Sequence, residues 1–137
     1  MVTKWYVPEA KSRAALELRN RFTPPSVLTH VHRIELQNAW QLKVYRKEMP
    51  AEAAARAADD LQSDIDAGVW LPPQYDLDAV FGVSVRLARE HTAVLGTRSL
   101  DLLHVAAALA LHERHFVTGD DRQARLAAAA GLKVTRL

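Results

Sequence analysis

"FVTGDDRQARLAAAAGLKV", residues 116–134, decides the fold. Phe116-Val117 is a short apolar run, Asp121 to Ala130 has the composition and spacing of a helix, and Leu132 to Thr135 is a second apolar run. Short apolar strands that alternate with helices are the signature of a parallel α/β sandwich. The same alternation continues upstream. Ser99 to His112 and Asp76 to His91 are spaced as helices, and Val69 to Leu71 as a brief strand before Pro72-Pro73. Ala51 to Asp66 is an Ala-rich helix stopped by Gly68, and Val31 to Glu48 is a helix closed by Met49-Pro50. Val27-Leu28 is a very short strand, and Glu9 to Arg21 is a helix ended by Thr23-Pro24-Pro25. No internal repeat is present, and "AAAA" at 127–130 is helix composition. The expectation is an α/β fold with parallel strands.

With 137 residues, 49% of them apolar, the chain fits one domain, 1–137. It has no run of 18 apolar residues, and its first residues lack the basic, apolar and small-residue order of a secretory signal. The expected location is cytoplasmic, with no membrane contact. Zero cysteines exclude disulfides and thiolate metal sites, leaving carboxylates and six histidines as ligands. The net charge of +2 hides an asymmetry. No Lys or Arg lies between Arg56 and Arg86, where Asp59, Asp60, Asp64, Asp66, Asp76 and Asp78 all fall. The rest of the chain is basic, and thirteen of the 18 cations are Arg, whose fork matches phosphate. Ala/Arg-rich codon usage accounts for this equally well.

Polar residues at apolar positions are more informative. Glu35 shares a stripe with Leu28, Val31, Ala39 and Leu42, where an unpaired carboxylate would be costly. It either pairs with Arg33 or Lys43, or serves a site. In "SLDLLHVAAALAL", Asp101 and His104 are the only polar residues from Leu100 to Leu111, which marks a central buried helix. Ser99 as N-cap with Asp101 in the first turn is one account of that acid, and a ligand at the sheet edge is the other. Asp120 and Asp121 follow a strand directly. Asp120 with Gln123 could close a capping box, yet the crevice at strand carboxyl ends is also where open α/β sheets bind ligands. Three acids on separate elements near one sheet edge would repel one another unless a cation sat among them, and oxygen ligation suits Mg²⁺ or Mn²⁺. Such an ion can activate water for attack on a phosphodiester. "HERH" at 112–115 is one residue short of the zincin spacing, and His30 and His32 point apart on a helix, so a zinc peptidase is rejected.

These segments, in order, resemble the PIN domains, and within them the VapC-like toxins of toxin–antitoxin pairs. The likeness runs through "KWYVPE" at 4–9, "LTHVHRIELQNAW" with Glu35, "RSLDLLHVAAAL" with Asp101, and "FVTGDDRQARLAAAAGLKV" with Asp120 and its hydroxyl neighbour Thr118. The resemblance implies a three-layer sandwich with a short central parallel sheet and helices on both faces. It also implies a metal-dependent endoribonuclease, with Glu35, Asp101 and Asp120 as catalytic and Mg²⁺-binding residues. Asp121 is either a substitute ligand or a cap. The implied partners are RNA, a second copy of the chain, and a small antitoxin that sets an Arg or Lys against the acids. The family's first acid lies in the pattern D-x-S-x-x-x-K-x-x-x-x-E. Lys4 and Glu9 have its spacing, so that Asp falls three positions upstream of Met1 and the first, central strand is expected to be missing from the chain. Loss of that strand would leave buried N–H and C=O groups unpaired. Upstream residues ending in Asp-x-Ser are expected to raise the melting temperature and metal affinity together.

Two other readings compete. One is a PIN-like binding module that holds an antitoxin or RNA without cutting. The other is a nucleotide-binding α/β protein, which the five glycines and the lack of a Gly-rich loop after any strand oppose.

Overall fold

The computed structural model describes Tyr6 and residues 26–136. The expected helix over 9–21 lies outside the described residues. The chain forms two compact units, Met1–Pro73 and Gln74–Leu137. Both mix helices with short parallel strands, so the α/β class holds in each.

In the N-terminal unit, β1 (Ser26–Val27) pairs in parallel with β2 (Trp70–Leu71). Backbone bonds from Ser26 N–H to the Val69 carbonyl (3.1 Å) and from Leu28 N–H to the Leu71 carbonyl (3.0 Å) extend the pairing at both ends. Between the strands run α1 (His30–Tyr45) and α2 (Ala51–Asp66). Thr29 caps α1: its Oγ1 accepts the His32 N–H at 3.2 Å, and its own N–H reaches His32 Nδ1 at 3.4 Å. An imidazole thus fills the position that Glu or Gln takes in a capping box.

The inward face of α1 carries Val31, Leu36 and Trp40. Leu42 of the expected stripe is 38% exposed, because the buried arc of the helix is centred further toward Leu36 and Trp40. From α2 come Ala54, Ala57 and Leu61, which share a core with the inward face of α1. Gly68, at φ +73°, ends α2 in the left-handed region where a side chain would be strained. Tyr6 seals this core. Its hydroxyl donates to Asp64 Oδ2 at 2.6 Å and accepts from Trp70 Nε1 at 2.7 Å, and its ring meets Trp40 edge-on at 6.0 Å.

The C-terminal unit is built around one helix. α3 (Leu77–Leu87) starts at its N-cap Asp76, whose carboxylate accepts the Asp78 N–H at 2.9 Å. The helix predicted to run to His91 widens at Ala88–Thr92 into a π turn, and a single α turn, Ala93–Leu95, leads to Gly96 at φ +63°. The wider turn slows the rotation of side chains about the axis, so that Leu95 returns to the core side on which Leu87 is buried. α4 (Ser99–Ala110) buries Leu102, Val105, Ala106, Ala107 and Ala108, and packs against both α3 and α5 (Asp121–Ala129). β3 (His115–Thr118) and β4 (Lys133–Arg136) are parallel, with Phe116 opposite Val134 and Val117 opposite Thr135. The strand–helix–strand unit expected over 116–134 is therefore present. Residues 111–114 turn the chain back from α4 into β3, and β3 leads directly into α5.

Candidate functional site

Asp101 and Asp120 both stand at helix N-termini within the C-terminal unit. Asp101 occupies the first turn of α4 and is buried, 6% exposed. Its Oδ2 accepts the Arg98 N–H at 2.9 Å. The helix begins at Ser99 with Arg98 as the cap residue, so Ser99 is the first helical residue and not the expected N-cap. The carboxylate three residues on takes the orphan N–H that a Ser cap would have left. His104, the one polar residue of α4 beyond Ser99 and Asp101, is buried one turn later.

Asp120 is the N-cap of α5. Its Oδ1 accepts the Arg122 N–H at 2.7 Å and the Gln123 N–H at 3.1 Å. Its Oδ2 lies 3.9 Å from the Arg122 guanidinium, with the side chain 42% exposed. The expected capping box does not close through Gln123. Gln123 Oε1 instead accepts from the Thr118 hydroxyl at 2.9 Å, and Thr118 Oγ1 accepts the Asp120 N–H at 3.1 Å. Thr118 is buried at the end of β3 and so locks the strand-to-helix turn that presents Asp120. The spacing Thr-x-Asp after an apolar run is the signal from which this brace could have been read.

Asp121 has a different role from its neighbour. Its Oδ1 meets the Arg136 guanidinium at 2.7 Å, and the side chain is 79% exposed. Glu35 is half-buried on α1, in the other unit.

The oxygen donors of Asp101 and Asp120 suit a hard cation in kind. Each already gives one oxygen to backbone N–H groups. No group of three or more His, Asp or Glu side chains among the described residues could hold a metal ion. Two carboxylates alone do not make a Mg²⁺ centre. The histidines of "HERH" are likewise not gathered: His112 and His115 are exposed on either side of the turn into β3.

The tie of Tyr6, Asp64 and Trp70 was not foreseen. Its members are 58 and 64 residues apart, and no local spacing announces them. No helix among the described residues is long and apolar enough to cross a membrane. No family model, curated protein or solved structure matches the chain.

Proposed function

We propose that the chain is a PIN-like, VapC-type endoribonuclease, the toxin of a toxin–antitoxin pair, which acts in the cytoplasm as a homodimer and hydrolyses RNA phosphodiesters. The observation that carries this reading is the pair Asp101 and Asp120. One acid is buried in the first turn of the central helix, and the other caps the helix that leaves β3, both within one unit. Carboxyl ends of parallel strands are where such folds place their chemistry.

In this reading Asp101 and Asp120 contribute oxygens to a Mg²⁺ or Mn²⁺ ion, which when bound would supply an activated water and charge neutralisation at the leaving oxygen. The chain's own contribution is placement. Thr118 and Gln123 hold the turn, the Arg98 N–H orients Asp101, and the backbone of α5 fixes one oxygen of Asp120 while the other stays outward. An antitoxin would set an Arg or Lys against the same carboxylates.

A second reading has an observation of its own: the absence of a three-carboxylate group among the described residues favours a binding module that holds RNA or antitoxin without cutting. RNA cleavage separates the two. Cleavage is expected, with loss in EDTA and on Asp101→Asn or Asp120→Asn. RNA bound but left intact, with Mg²⁺ or Mn²⁺ supplied, would favour the binding module; cleavage indifferent to EDTA would remove the metal.

A further inference from the structure

The C-terminal unit carries an apolar surface that its own core does not use. Leu77, Phe81 and Val85 recur every four residues along α3 and are 44%, 54% and 53% exposed. The inward side of the same helix is complete without them, with Val80, Ser84 and Leu87 buried. Gly82 lies beside Val85, about 60° further round the helix. Glycine inside a helix costs about 1 kcal/mol relative to alanine. A Cβ there would meet no atom of the described residues within 4 Å, so packing among them gives no reason for it. A notch next to an exposed apolar ridge suits the close approach of another helix.

The charges around the notch identify which helix. Asp78 stands four residues before Gly82 and Arg86 four residues after it, each about 6 Å along the axis from the glycine. Both are exposed. Among the described residues, the ion pairs of this unit include no partner for Asp78, and Arg86 reaches only Glu90, at 3.5 Å on the surface. An acid and a base placed symmetrically about a glycine are self-complementary when the helix meets its own copy antiparallel. Each end of the contact then brings Asp78 of one copy to Arg86 of the other.

We propose that α3 is a self-interface, in which two copies of this chain pack antiparallel about a two-fold axis at Gly82. Phe81 and Val85 of each copy cover the notch of the other, and two Asp78–Arg86 pairs close the ends. This is the isologous arrangement of a symmetric dimer, in which each contact occurs twice. The inference rests on the homodimer part of the preceding reading and is independent of RNA cleavage.

Sedimentation of the full chain over a range of concentrations tests it. The wild type is expected to dimerise. Gly82→Leu fills the notch with a better helix former, so circular dichroism should show helix content kept while the dimer dissociation constant rises at least roughly tenfold. Asp78→Arg should also weaken the dimer, and the double variant Asp78→Arg, Arg86→Asp should restore it. A wild-type dimer unmoved by Gly82→Leu keeps the homodimer and overturns α3 as its surface. Loss with Asp78→Arg that the double variant fails to rescue overturns the antiparallel pairing. A wild type that is monomeric at every concentration overturns both the dimer and the interface, whatever its activity on RNA.

Discussion

The two units solve one problem with opposite means. Each must cover a short parallel strand pair with helices. The N-terminal unit has strands of only two residues and depends on a few large side chains, Leu36, Trp40, Leu61 and Trp70, with Tyr6 fastened across them. The C-terminal unit has strands of four residues and a helix of small side chains, Ala106, Ala107 and Ala108, against which its neighbours press closely. A core of few large groups is vulnerable to their removal. A core of alanines is vulnerable to enlargement.

Trp40 gives the comparison its sharpest test. It is 1% exposed and is the largest fully buried side chain among the described residues. Trp40→Ala is therefore expected to cost about 3–5 kcal/mol, read as a lowered urea midpoint. Among the described residues its Nε1 is buried with no hydrogen-bond partner, and an orphan donor costs about 1–3 kcal/mol. Trp40→Phe keeps most of the apolar volume and removes that donor, so its loss should be a small fraction of the alanine variant's. Equal losses from the two variants would show that the indole is held by something other than packing.

The opposite change belongs in the other unit. Ala107 is 1% exposed on α4. Ala107→Leu should destabilise by about 1–3 kcal/mol, since the added methylenes must displace close-packed neighbours. Amide exchange should accelerate in α3, α4 and α5 and leave α1 and α2 unchanged. Faster exchange confined to α1 and α2 would refute the assignment of Ala107 to this core.

Much of this architecture is legible along the chain because it depends on local rules. The bounds of α2 follow from Pro50 and Gly68, and those of β3, α5 and β4 from alternating apolar runs. Asp101 and His104 stand out because everything around them is apolar, and both prove buried. What escapes local reading has non-local causes. The π turn at Ala88–Thr92 arises where the helix must bring both Leu87 and Leu95 to the core. Leu42 is exposed because only the arc around Leu36 and Trp40 meets other elements. Whether a first-turn acid caps a helix or serves a ligand cannot be read from spacing, since both uses want the carboxylate in the same place. Asp101 and Asp120 each cap with one oxygen and keep the other.

Asp120 and Asp121 repeat the comparison at the smallest scale, as two adjacent carboxylates in different employment. The Asp120 oxygen accepts two backbone N–H groups at a turn braced by Thr118, while the Asp121 oxygen meets an exposed guanidinium. Loss of an N-cap costs about 0.5–2 kcal/mol, so Asp120→Ala should lower stability by about 1 kcal/mol. Exposed ion pairs contribute about 0–1 kcal/mol, so Asp121→Asn should cost about 0.5 kcal/mol or less. Salt distinguishes the causes. At 1 M ionic strength the screening length falls to about 3 Å, which should erase the Asp121→Asn difference. The Asp120→Ala difference should largely persist, because backbone hydrogen bonds at a braced turn depend on geometry more than on long-range charge. Urea unfolding of both variants at low and high salt reads this directly. If salt removes the Asp120→Ala loss as well, its carboxylate acts as a surface charge and not as the cap of α5. The turn that presents it would then be held by Thr118 and Gln123 alone.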